Sequence, residues 1–187
     1  MCGRFQFVSN EKSLLAAYPN LRVVQPSLFS KEIFPTQEIG VITKNLDLVN
    51  LQWGIETAFA KRPIINARLE SINTKDLFRE SFASNRCLIP MTGFYEWDDE
   101  KQKYLIKPQN EPIVSFAGII LARRIDDVYH LQTALITKKA TETMKRIHQR
   151  MPILIPTKDT ERYFKMDVHQ TKSYLSEINI EMEITTV

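Results

Sequence analysis

The sequence predicts a mainly antiparallel α+β or barrel-like fold in a single domain. Strand-type runs outnumber helical ones and lack the βαβ alternation of a parallel sheet. No repeat of roughly 20–50 residues and no low-complexity linker divides the 187 residues, so one domain over 1–187 is expected. Hydrophobic residues at 43% and charged ones at 25% supply enough apolar material for a core.

Residues 3–8 alternate weakly and end at Ser9-Asn10, which predicts a short strand followed by a capped helix over 11–18, with Leu14, Leu15 and Tyr18 on one face. Residues 21–40 contain Pro26 and Pro35 and read as extended segments and loops. Apolar runs at 41–43 and 46–53 flank Lys44-Asn45 and predict a hairpin that closes at Trp53-Gly54. An amphipathic helix is expected over 76–84, an apolar strand over 86–90, and a turn with a second strand over 91–97. Residues 98–101 form a solvated tip before a strand at 103–106. The strongest strands are 113–121 and 129–136, joined by the charged turn 123–127. A helix over 141–148 is broken by Arg150-Met151-Pro152. An extended 153–155, a short helix over 159–165, and a tail from 174 with an edge strand at 181–185 complete the chain.

The net charge of +3 is mild and allows a local basic groove without announcing nucleic acid. Two cysteines, Cys2 and Cys87, exclude a disulfide framework, and no CxxC pair suggests zinc. There is no basic-then-apolar leader and no apolar run near the roughly 18–20 residues that span a bilayer. The expectation is a cytoplasmic, monomeric protein with no membrane partner, no metal and no cofactor.

Four places combine reactive types with apolar or glycine neighbours. The first is Cys2 with Arg4. Methionine removal is efficient before a small residue, so Cys2 is expected at the mature N-terminus, with a thiol and an α-amine on one residue. An amine condenses with an aldehyde to an imine, and the adjacent thiol can close it to a five-membered thiazolidine. The second is Asn66 with Arg68 and Glu70, alternate residues that share one face of an extended segment. The third is Gly93-Phe94-Tyr95-Glu96-Trp97, where a carboxylate between two aromatics is partly desolvated and suited to proton shuttling, unless the strand turns Glu96 to water. The fourth is His148, a possible general acid or base, with Arg150, whose planar fork suits phosphate. Rival uses are a metal site from Cys2, Glu96, His130 and His148, which lack ligand spacing, and a cysteine peptidase with Cys2 as nucleophile and His148 as base. Exposed aromatics such as Trp53, Phe94 and Trp97 beside Arg4, Arg68 and Arg150 would form a stacking platform for single-stranded nucleic acid, whereas burial in the core is the commoner use of any one of them. Cys87, inside an apolar strand, is expected to be inert core.

Taken together, Met1-Cys2-Gly3-Arg4, Pro35-Thr36, Trp53-Gly54, Asn66-Ala67-Arg68 with Glu70, and Arg86-Cys87-Leu88-Ile89-Pro90 form an ordered set. It continues with Gly93-Phe94-Tyr95-Glu96-Trp97, Phe116-Ala117-Gly118, Thr137, and His148 with Arg150-Met151-Pro152. This set resembles the SRAP (SOS response-associated peptidase) family, whose members shield abasic sites in DNA. The resemblance implies a β-rich α+β domain with a central antiparallel barrel-like sheet, flanking helices and a groove for single-stranded DNA. It implies Cys2 as the crosslinking residue, Asn66 as a positioning residue, and Glu96 and His148 as the acid/base pair. It implies contacts to abasic single-stranded DNA from Arg4, Arg68, Arg150, Trp53, Pro35 and Trp97, with Thr137 a supporting polar neighbour. It also implies removal of Met1 by the protein itself, and association with the nucleoid when bound to DNA. A thiol peptidase acting on other proteins and a non-covalent single-stranded DNA binder are the alternatives.

Overall fold

Two sheets carry the chain, and strands of one of them close into a ring. The computed structural model describes residues 2–125 and 127–187. The N-terminal alternation gives β1 (Arg4–Phe7), after which the Asn10 side chain accepts from the Ser13 N–H and caps α1 (Glu11–Ala17). The proline-bearing stretch holds the short β2 (Arg22–Val23) and β3 (Ser30–Ile33). The expected hairpin is β4 (Glu38–Ile42) with β5 (Asp47–Trp53). A three-residue β6 (Asn66–Arg68) and a 3₁₀ turn, Leu69–Ser71, lead into α2 (Asp76–Ser84), whose bounds match the predicted helix. Then come β7 (Arg86–Met91), β8 (Gly93–Trp97), β9 (Lys103–Pro108), β10 (Val114–Ile125) and β11 (Val128–Lys139). The last part holds α3 (Glu142–Lys145), β12 (Arg150–Pro152), β13 (Leu154–Ile155), α4 (Thr160–Lys165), α5 (Val168–Glu177) and β14 (Met182–Thr186).

The ring runs β5–β4–β7–β10–β11 through antiparallel pairs and returns from β11 to β5 by a parallel pairing, Gln132↔Gln52 and Thr133↔Trp53. Closure removes exposed edges, so these five strands form the barrel that the family resemblance implies. Gly118 on β10 leaves room for the β7 side chains packed over it. A Cβ there would lie 2.3 Å from Ile89 Cδ1 and 2.9 Å from Cys87 Sγ. Gly54, at φ +120°, turns the chain out of β5 in a conformation other residues rarely adopt.

The second sheet is antiparallel throughout, in the order β14-β9-β8-β1-β3. Its inner face meets the barrel through aromatics. Phe5 sits edge-on to Trp53 at 5.2 Å and to Phe116 at 5.3 Å, and Phe94 lies 6.1 Å from Phe116. Burying each such side chain contributes about 2–3 kcal/mol, and each edge-to-face pair about 1 kcal/mol more. The chain crosses between sheets at Thr92, whose N–H donates to the Gln6 carbonyl at 3.0 Å. The predicted strand–turn–strand over 86–97 therefore serves two sheets, one strand in each.

Several expectations are corrected. Leu15 is exposed, while Leu14 and Tyr18 are buried. The helix predicted over 141–148 lasts only four residues, because the chain beyond it is drawn into β12 alongside β11. The strands flanking the charged turn run on to Ile125 and from Val128, and Asp126 lies outside the described residues. Helix α5 was not predicted. A capping box marks its start, with Asp167 accepting from the Gln170 N–H at 2.8 Å and Gln170 accepting from the Asp167 N–H at 3.1 Å. The edge strand expected at 181–185 is β14.

Candidate active site around Cys2 and the end of β11

Cys2 lies two residues before the start of β1 and is fully buried. Its Sγ lies 3.7 Å from the Arg4 carbonyl. Asn66, first residue of β6, donates from Nδ2 to the Cys2 carbonyl at 3.0 Å, while Asn66 Oδ1 is buried with no hydrogen-bond partner among the described residues. On β8 the two-residue period puts Glu96 on the face of Phe94, toward the barrel, and Tyr95 and Trp97 on the other. Glu96 is only 5% exposed, so it is turned away from solvent. Burial pushes the Cys2 thiol up, the Glu96 charge pushes it further, and the Arg4 carbonyl contact opposes both. Cys2, Asn66 and Glu96 thus converge.

The other half of the site hangs on the end of β11. There β6 pairs in parallel (Leu135↔Asn66, Thr137↔Arg68) and β12 antiparallel (Thr137↔Pro152, Lys139↔Arg150). His148 lies in the loop before β12, its N–H on the Met144 carbonyl and its Nδ1 accepting from the Arg150 N–H at 2.9 Å. The Arg150 guanidinium donates to both Glu70 oxygens at 2.8 and 3.0 Å, to the Thr137 carbonyl at 2.8 Å and to Thr137 Oγ1 at 3.1 Å. Arg150 holds the Glu70 carboxyl below its ordinary range, with burial opposing. Thr137 is fully buried, and its Oγ1 also reaches the Ala67 carbonyl at 3.5 Å. Thr137 is therefore an internal support for Arg150 and not a surface contact, and Arg150 is engaged by a carboxylate rather than open to solvent.

A third group covers the outer face of the second sheet. The Arg4 guanidinium stacks 4.0 Å from the Phe34 ring and 5.2 Å from Trp97, and pairs with Glu32 at 3.3 Å. Lys103 lies 4.2 Å over the Tyr95 ring and also pairs with Glu32, whose carboxyl it holds below the ordinary range. Pro35 and Trp97 are half-buried, Phe34 is 38% exposed, and Arg68 is exposed. Two members of the expected platform are elsewhere. Trp53 and Phe94 are fully buried in the core, and the Trp53 Nε1–H is spent on the Ile65 carbonyl at 3.2 Å. A tryptophan in a strand does not by itself say which face of a barrel it occupies. The sequence reading missed Phe34, Glu32 and Lys103, although Phe34 directly precedes the Pro35 it had singled out.

Among the described residues no group of His, Cys, Asp or Glu side chains is arranged to hold a metal ion, and His130 lies exposed on β11 beside Arg123. No helix of the described chain is long and apolar enough to cross a membrane.

The family model of SOS response associated peptidase (SRAP) matches residues 1–187. The abasic site processing protein YoaM of Bacillus subtilis is 32% identical over 95% of this chain and 85% of its own length. The abasic site processing protein YedK of Escherichia coli is 25% identical over 90% and 81%. A crystal structure of a protein from Bordetella bronchiseptica superposes with a TM-score of 0.85 at 16% identity, covering 100% of this chain and 99% of that one. One from Bacteroides thetaiotaomicron gives 0.83 at 20% identity, covering 100% and 92%. At such identities the two structures speak for the fold.

Proposed function

The chain belongs to the SOS response associated peptidase (SRAP) family of abasic site processing proteins, and from that premise we propose that it captures abasic sites in single-stranded DNA as a covalent adduct of Cys2. The observation that carries the reading is the convergence on Cys2: a buried thiol, an amide holding the same residue's carbonyl, and a carboxylate at its side.

The chemistry requires Met1 to be hydrolysed away first. Met1 lies outside the described residues, and its removal by the protein itself is part of the proposal. An abasic deoxyribose is mostly a cyclic hemiacetal, so a proton must reach the ring oxygen to release the aldehyde. His148 or Glu96 supplies it. The Cys2 amine adds to the carbonyl carbon and one water leaves, giving an imine. The thiol then adds across the C=N bond, sulfur to carbon and hydrogen to nitrogen, which closes the thiazolidine. Asn66 keeps the Cys2 backbone in place through Nδ2 and has Oδ1 left to accept from the amine or a sugar hydroxyl. The same carboxylate, run in reverse, protonates and reopens the ring.

Arg4 over Phe34 and Trp97, with Pro35 beside them and Arg68 on β6, supplies cations and stacking faces for the flanking strand. The thiol peptidase alternative predicts turnover of peptide substrates in trans, and loss of Met1 alone would exclude it. Incubation with an abasic oligonucleotide should give a denaturation-resistant adduct. An equally stable adduct with Cys2→Ala would remove Cys2 from the reaction.

A further inference from the structure

We propose that Glu70 is a positioning residue of this site, setting the ring of His148 through Arg150. The inference rests on the reading above only in taking His148 as the acid/base group. His148 Nδ1 faces both ends of one residue, the Arg150 N–H at 2.9 Å and the Arg150 carbonyl at 3.1 Å. With the ring neutral, Nδ1 accepts from the N–H and the ring hydrogen sits on Nε2. With the ring protonated, Nδ1–H donates to the carbonyl. One residue thus serves both states, and Nε2 is the nitrogen that exchanges a proton with substrate.

This works only while the Arg150 backbone stays within a few tenths of an ångström. Arg150 opens β12, a strand of three residues, and strand pairing alone holds so short a piece weakly. The side chain supplies the missing hold. Its guanidinium is clamped in two-pronged fashion by Glu70 and fixed again by the Thr137 carbonyl and hydroxyl, leaving the Arg150 side chain 14% exposed. Glu70 is itself anchored in the 3₁₀ turn after β6. Lys172 Nζ reaches the Glu70 carbonyl at 3.4 Å and Asn73 Oδ1 at 2.8 Å. The line of force runs from β6 to Glu70, to Arg150, to the imidazole. Asn66, which holds Cys2, begins the same β6, so both halves of the site share one support.

The test is Glu70→Gln, which keeps the shape and loses the charge, with Glu70→Asp as the conservative variant. The ¹⁵N shifts of the His148 ring in the DNA-free protein report the tautomer directly. Wild type should show Nε2 protonated and Nδ1 as acceptor, Glu70→Gln a mixture, and Glu70→Asp a return toward wild type. Adduct formation in Glu70→Gln should slow about tenfold, a fraction of the roughly 10²–10⁴ that a full acid–base group supplies, and its pH profile should change while binding of an undamaged oligonucleotide does not. An unaltered tautomer would overturn the proposal whether or not the protein captures abasic DNA. So would an unaltered rate with tighter oligonucleotide binding, which would make Glu70 a screen over Arg150 instead. Should Glu70→Gln unfold, the Glu70→Asp ring shifts decide: a wild-type tautomer supports the clamp only if Arg150→Lys, which cannot make the two-pronged pair, disturbs it.

Discussion

Asn66 donates its side-chain N–H to the backbone carbonyl of Cys2 at 3.0 Å, across 64 positions of sequence. That bond ties the first residues of the chain to β6, and through β6 to the end of β11 where His148 and Arg150 sit. Replacing Asn66 by Ala removes one hydrogen bond, a net loss of about 1 kcal/mol. Thermal stability should therefore change little while adduct formation slows severalfold or more. Asn66→Asp should be worse than Asn66→Ala, because it sets a carboxylate against the Cys2 carbonyl and the Glu96 charge. Single-turnover crosslinking beside a melting curve checks both.

Glu96→Gln has two separable consequences. The Glu96 charge raises the Cys2 thiol, so removing it lowers the thiol's titration and exposes more thiolate at a given pH. Reaction of Cys2 with a small thiol reagent should therefore quicken, by up to about tenfold for every pH unit that the titration moves down. Crosslinking should nevertheless slow by roughly 10²-fold if Glu96 moves a proton in the reaction. Opposite movements of the two rates separate thiol ionisation from proton transfer.

Both cysteines are buried with raised thiols, that of Cys87 pushed up to about 12 by desolvation, against its contact with Thr133. The unfolded chain releases these protons near pH 8.5 while the folded one keeps them, so the associated stability is full below that pH and declines as pH rises toward the folded values. The slope is at most about 1.4 kcal/mol per pH unit for each thiol. Denaturant titrations from pH 8 to 10 should show the decline, and Cys87→Ala should make it shallower while lowering stability at neutral pH through the cavity it leaves.

Arg4→Gln should weaken binding of undamaged single-stranded DNA and reduce the salt slope by about 0.7, the share of one phosphate on a single strand. Arg68→Gln should do the same. Trp53→Phe should leave the salt slope unchanged, since Trp53 is in the core, and should appear instead as a lower melting temperature.

The parts of the fold that sequence can reveal are those written in adjacent residues. The strands Arg4–Phe7 and Gly93–Trp97, the apolar face of Asp76–Ser84 and the hairpin around Lys44-Asn45 all survive in the structure. Closure of the barrel through Thr133 beside Trp53 is non-local and parallel, and no local pattern encodes it. The same blindness put Trp53 and Phe94 on the surface: strand period gives two faces but not which one is inside. Cys2, Asn66 and Glu96 were legible as reactive types in apolar settings, whereas the Glu70–Arg150 clamp joins positions 80 residues apart and left no trace but its two charges. Helix α5 is not predicted, although Asp167 and Gln170 have the spacing of a capping box.

The central claim is that the amine and thiol of Cys2 act together on an aldehyde, and the intact mass of the crosslinked complex tests it most directly. The predicted mass is that of the chain without Met1 plus the abasic oligonucleotide less one water. The adduct should resist borohydride, because a closed thiazolidine has no C=N bond, and Cys2→Ser should give only a borohydride-trapped imine. A complex that retains Met1, or a Cys2→Ser adduct as stable as wild type without reduction, would contradict the account.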